Sequence, residues 1–170
     1  MLLVFPFYGQ PISLPNKLGV SGKFEDFKFS GSNEASSIEE LLKQSKIAIF
    51  TASVNSNSEI RDPKLRVSFF KVFNTSTIEG AVLETKEGKG IVSLQMNTEA
   101  HPLEYTYSFK KDTIVMEAKI DLNTWNGEEA MQSFNKECYD LHKRTDGISK
   151  LWTDVDVLIK LPVTKTAIID

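Results

Sequence analysis

One cysteine, Cys138, in 170 residues leaves no partner for an internal disulfide and rules out a multi-cysteine zinc site. Its scarcity does not fix the compartment, because exported proteins also go without disulfides. Histidine is almost as rare: His101 and His142 are the two present, and neither stands in a zinc-protease motif. A phosphate-cradling glycine loop and a nucleophile elbow are both missing. Twenty Lys and Arg against 23 Asp and Glu give a net charge of −3, and the lysines are scattered. That distribution lacks the basic stripe of a nucleic-acid binder. No apolar run is long enough to cross a bilayer. The opening MLLVFPFYGQ is broken by Pro6 and has no basic residue ahead of its apolar stretch, so it reads as a first strand, with the tail of an export signal as the alternative.

What is present is ordinary globular material, 41% hydrophobic and 25% charged, enough for one domain with a full core. Alternation dominates. In LEYTYSF the apolar residues Leu103, Tyr105, Tyr107 and Phe109 take every second place, the signature of a strand with one dry face. The same period runs through Val92, Leu94 and Met96, through Ile114, Met116, Ala118, Ile120 and Leu122, and through Val155, Val157, Ile159 and Leu161. KEGKG at 86–90 and KKD at 110–112 supply hairpin turns between such runs. Phe24 falls out of phase with Phe27 and Phe29, so a bulge is expected near Glu25 or Asp26. Many alternating strands in one small domain indicate a sandwich or a barrel, and a closed barrel removes exposed edges.

Two helices interrupt this pattern. Ser37 with Glu40 three residues later forms a reciprocal cap for a short helix over 38–44. Over 128–143, Met131, Phe134, Cys138 and Leu141 share one stripe that would cover a face or mouth of the barrel. On that stripe Cys138 and His142 stand four apart with Asp140 nearby, spacing that suits two metal ligands or a thiolate and its base. Cys138 as a small buried hydrophobe is the plainer reading. His101, before a proline, reads as a turn residue. Trp125 suits a ligand platform or core equally, and Trp152 reads as core. In SEIRDPKLRVSFFKV at 58–72, a charged stretch ends in paired phenylalanines and would close one end of the barrel, Phe69 and Phe70 facing in. Arg61, Asp62 and Arg66 fit local ion pairing that fixes this loop, or a grip on an anionic head group.

Eleven phenylalanines and four tyrosines exceed what a narrow barrel needs as filler, and eight strands is the size at which the interior either fills or holds one small ligand. ASVNSNSEIRDPKLRVSFF at 52–70 resembles the signature of the YceI-like polyisoprenoid-binding family. GVSGKFEDFKFSG at 19–31 and WTDVDVLIKLPV at 152–163 are similar to further strands of that family, and SFNKECYDLHK at 133–143 to an insertion in its Bacteroidetes-type branch. The resemblance covers about residues 18–163. The first strand lacks the family's aromatic and lysine pattern, and TEAHPLEY replaces a usual later turn.

The resemblance implies a single-domain, eight-stranded antiparallel lipocalin-like barrel with one or two short helices outside. It further implies a non-catalytic carrier of a long isoprenoid or fatty-acid-like ligand, periplasmic or secreted, with no cofactor, metal or nucleic-acid partner. Phe24, Phe29, Phe69, Phe70, Leu94, Met96, Tyr105, Tyr107, Phe109 and Trp125 would line its pocket. Arg61, Asp62 and Arg66 would frame the mouth. A homodimer stays open, as do a filled-core interaction module and a metal-dependent enzyme at Cys138 and His142.

Overall fold

The computed structural model describes residues 7–8, 19–32, 34–139 and 151–164. Its strands are β1 (Phe7–Tyr8), β2 (Gly19–Val20), β3 (Lys23–Phe24), β4 (Phe27–Ser30), β5 (Lys46–Phe50), β6 (Val54–Asn55), β7 (Thr77–Lys86), β8 (Lys89–Met96), β9 (Glu99–Lys110), β10 (Thr113–Asp121) and β11 (Asp154–Pro162). Seven of them form one antiparallel sheet in the order β11-β10-β9-β8-β7-β5-β4, curled into a half-barrel. This is the mainly β architecture that the alternation indicates and is consistent with the lipocalin-like barrel that the resemblance implies, with seven strands in the described sheet. β3 pairs with β6, and β1 with β2, in two small ladders beside it. Of the expected first strand, only Phe7–Tyr8 falls within the described residues, paired with Gly19–Val20.

Three hairpins carry the sheet from β7 to β10. Each turns on two residues of positive φ: Glu87 and Gly88 (50° and 83°), Asn97 and Thr98 (45° and 64°), Lys111 and Asp112 (48° and 58°). That left-handed pair matches the twist of the flanking strands, which is why two residues suffice. The Asn97–Thr98 turn has no glycine to announce it. His101 is therefore not at a turn but inside β9, opposite Leu94. Pro102 opposes Ser93 on β8, while the pairing of β9 with β10 stops at Tyr105, so the proline sits where its strand has a single neighbour.

The expected bulge at Glu25 and Asp26 is a full break, at which the chain leaves the β3–β6 ladder and enters the main sheet. An unanticipated bulge lies on β7: the register with β8 shifts between Val82 and Glu84 and leaves Leu83 exposed. Before it Ile78, Gly80 and Val82 face inward; after it Thr85 does, opposite Gly90.

Helix α1 (Ile38–Lys43) follows Ser37, whose Oγ accepts the Glu40 N–H at 3.1 Å. Glu40 returns the contact one residue earlier than a reciprocal box requires, its carboxylate accepting the Ser36 N–H at 2.8 Å. The stretch read as a mouth loop is helical: α2 (Arg61–Lys64) runs directly into a π-helical segment, Leu65–Phe70. The Asp62 carboxylate accepts the Ser56 N–H at 2.9 Å, and the Arg66 guanidinium donates to the Val54 carbonyl at 3.0 Å. These bonds fasten the helix to β6. The wide π turn brings the neighbours Phe69 and Phe70 to the inner side together. Helix α3 (Glu128–Glu137) packs on this segment through Ala130, Met131 and Phe134, and Lys64 donates at 2.7 Å to the Glu137 carbonyl, a cation at a helix C-terminus. Leu141, on the stripe expected of this helix, lies outside the described residues.

Packing seals both ends of the half-barrel. At one end Phe69, 2% exposed, meets Phe70, Phe73 and Phe134 with ring centroids 5.0, 5.5 and 6.2 Å away, and Phe24 stands edge-on to Phe70 at 5.7 Å. Trp125 completes this plug from a 3-10 turn (Leu122–Trp125), its indole N–H donating to the Leu94 carbonyl at 3.2 Å. At the other end α1 lays Leu41 and Leu42 on Ile114, with Met116, Tyr107 and Leu161 around them. There the Tyr107 hydroxyl donates to the Glu39 carboxylate at 2.6 Å.

Phe69→Ala removes the hub of the plug and is expected to cost about 3–5 kcal/mol in urea unfolding. Phe109→Ala, at a ring 41% exposed, is expected to cost under about 1 kcal/mol; equal losses would contradict this packing. The Tyr107 bond holds the Glu39 carboxyl below its usual range. Its contribution is full above about pH 4.3, the ordinary glutamate value, and is lost as pH falls through the lowered one. Thermal midpoints of wild type and Tyr107→Phe should therefore differ at pH 7 and converge at strongly acid pH. A gap that stays constant would show that the bond does not stabilise α1.

Candidate functional site

Between the two seals the inner faces do not meet. They leave an apolar cavity of about 100 Å³ that is partly open to solvent. Ile47 and Ile49 of β5, Gly80 and Val82 of β7, Val92 and Leu94 of β8, Leu103 and Tyr105 of β9, Met116 and Ala118 of β10 and Val157 of β11 border it, with Leu42 of α1 at one end. Strand alternation delivers these residues, and one missing side chain lets Ile47 pack close against the sheet at the cavity wall. Gly80 stands mid-strand between Ile47 and Leu94, and a Cβ there would come within 3.0 Å of Ile47 Cγ2 and 4.0 Å of Leu94 Cδ1. A glycine in a strand interior weakens it, so its presence marks a place where space or close approach is needed.

Of the ten residues expected to line a pocket, Leu94, Tyr105 and Phe29 border this cavity. Phe29 does so from the edge strand β4 and is 42% exposed. Phe24, Phe69, Phe70, Met96 and Trp125 are inward-facing but belong to the core at the plugged end. Tyr107 is held by Glu39 under α1, and Phe109 lies beyond the cavity with a large exposed face. Arg61, Asp62 and Arg66 do not border the cavity. Sequence reasoning missed Ile47, Gly80, Val82 and Met116 as lining. Met116 was on a recognised stripe, whereas an inward glycine gives no periodic signal.

The polar groups are few. Tyr105 borders the cavity and also a wider open depression of about 1390 Å³, as do Ala118 and Val157. Burial raises the Tyr105 phenol above its ordinary pKa, and Thr85 beside it pulls the other way. At this site it is a neutral hydroxyl. The Cys138 thiol is buried in the core at the end of α3, and burial pushes its pKa up, the opposite of what a thiolate nucleophile or ligand needs. Its proposed partner His142 lies outside the described residues, among which no cluster of three metal-ligating side chains occurs. Trp152 is half-buried.

No family model and no curated protein matches the sequence. Solved structures do match the fold. BcnA of Burkholderia cenocepacia superposes with a TM-score of 0.57 at 13% identity, covering 95% of this chain and 96% of its own. A polyisoprenoid-binding domain from Saccharophagus degradans, implicated in plant cell wall breakdown, gives 0.58 at 13% identity over 96% and 94%. The YceI protein of Campylobacter jejuni gives 0.57 at 17% identity over 92% of both chains. At these identities the likeness is one of fold: this chain has the YceI-like fold.

Proposed function

We propose that this protein is a non-catalytic binder of an apolar chain, held in the cavity between the aromatic plug and α1. The observation that carries the reading is the apolar space itself, bordered by Gly80 in the middle of an inner face. The polyisoprenoid-binding domain of like fold supports it. Each methylene moved from water into such a space contributes about 0.8 kcal/mol, against association costs of roughly 4–15 kcal/mol. Chain length therefore governs affinity. Size sets the other limit, since about 100 Å³ is small beside the roughly 300–1,000 Å³ of drug-sized ligand pockets. A short apolar segment fills this space, and a chain of isoprenoid length extends out of its open side. Delivery of such a lipid in an exported protein is the physiological role we assign. A second reading, an interaction module with a filled core, is favoured by the aromatic plug alone; it leaves the cavity beside Gly80 without a purpose.

Native mass spectrometry of the purified protein should show a bound apolar molecule. Gly80→Val, which places a branched side chain in the cavity, should weaken octan-1-ol binding in calorimetry at least tenfold while the protein stays folded. Wild type that binds neither a co-purified molecule nor octan-1-ol, or a Gly80→Val variant that binds as well as wild type, would contradict the proposal.

A further inference from the structure

The helical insertion has an outer side that the aromatic plug does not use. Leu65, Phe69 and Phe70 are buried on its inner side, whereas Ile60, Val67 and Val72 are 72%, 59% and 37% exposed. Two turns separate Ile60 from Val67, and one wider turn leads from Val67 to Val72, so the three stand on one side. Single aliphatics at a surface are ordinary, but three aligned along one short helix form a stripe that faces water.

Cations are interleaved with that stripe. Arg61, Lys64, Arg66 and Lys71 lie between its members, and none of the four is in an ion pair among the described residues. Lys64 and Arg66 direct hydrogen bonds to carbonyl oxygens, those of Glu137 and Val54, so their charges have no carboxylate partner. Of the two carboxylates in this stretch, Asp62 is buried on Ser56 and Glu59 is exposed. Residues 58–72 therefore carry +2, four cations less two carboxylates, in a chain of net charge −3. The adjoining end of α3 adds Lys136 and Glu137, one charge of each sign.

We propose that this side of the helix is a docking surface for a bilayer that contains anionic lipid. Aliphatic side chains set between cations are the make-up of a helix that lies in the headgroup region, where the cations reach anionic headgroups and the aliphatics enter the acyl boundary. A protein partner calls for other features. Protein interfaces are anchored by buried aromatic side chains and the pockets that receive them; the exposed residues of this helix include no aromatic ring and border neither of the hollows described above. The inner side of the same helix carries Phe69 and Phe70, so docking sets the plugged end of the half-barrel against the membrane. The inference stands apart from the apolar-cavity reading, because none of these residues borders the cavity.

Co-sedimentation with vesicles tests the surface. Wild type should bind phosphatidylcholine vesicles containing about one-third phosphatidylglycerol roughly tenfold or more tighter than vesicles of phosphatidylcholine alone, and added salt should weaken the binding. A cation near such a surface contributes roughly fivefold, so Arg61→Gln combined with Lys71→Gln should weaken binding roughly twentyfold. Ile60→Ser combined with Val67→Ser should weaken it roughly tenfold. Lys111→Gln, at the turn between β9 and β10, should change it less than about twofold. The replaced side chains sit at the surface, so all variants should keep the wild-type thermal midpoint and octan-1-ol affinity. Equal binding to the two kinds of vesicle, equal losses from Lys111→Gln and from the Arg61 and Lys71 pair, or undiminished binding by the Ile60 and Val67 pair would each overturn the docking surface. A wild type that stays off the vesicles overturns it as well, and polyglutamate binding in its place would point to an acidic protein. None of these outcomes touches the cavity, which octan-1-ol binding tests separately.

Discussion

A sheet that curls with one apolar face inward still has two open ends, and water entering at either would undo the burial that holds the curl. The structure depends on how those ends are closed. At one, the rings of Phe24, Phe69, Phe70, Phe73, Phe134 and Trp125 interlock; at the other, α1 presses Leu41 and Leu42 onto the sheet. Both closures use segments that interrupt the strands: the helical insertion after β6, α3, and the short α1 after β4. The polar bonds of those segments place apolar groups. Asp62 on Ser56, Arg66 on Val54 and Lys64 on Glu137 hold the helix that carries Phe69 and Phe70.

With the ends sealed, the middle can be left unfilled. Interiors normally pack to crystal density, and an unfilled apolar space forfeits dispersion contacts on its walls. Gly80 and Ala118 therefore represent stability given up within the inner face. The rest of the layer, Ile49, Ile78, Leu94, Ile120 and Val157 among others, is buried in the ordinary way and offsets that loss. The one bulge of β7 acts on the same layer, because it turns a hydroxyl and not a carboxylate to the inner face.

Much of the sheet could be read from the sequence because burial on one face writes period two directly into the residues. The runs 103–109 and 155–161 fall in β9 and β11, the run 114–122 falls in β10 except for Leu122, which opens the 3-10 turn, and the KEGKG and KKD turns lie where they were placed. The helical insertion at 61–70 was not legible as a helix, since Leu65, Phe69 and Phe70 follow a π turn, whose spacing matches neither the strand period nor that of an α-helix. Phe24, Phe69 and Phe70 face inward as their hydrophobicity demands, but sequence does not distinguish a ring that plugs an end from one that lines a hollow. The cavity was still less visible. Gly80 acts by what it lacks, and Thr85 faces inward only because of a bulge that leaves no mark in the alternation.

The central claim, that the half-barrel keeps an unfilled apolar hollow, is tested most directly by a crystal structure under xenon pressure. Xenon enters dry apolar cavities of this scale without needing a polar partner. The account predicts a xenon atom among Ile47, Gly80 and Leu94, with the aromatic plug unmoved. Absence of xenon there, with neighbouring side chains collapsed over Gly80, would contradict it.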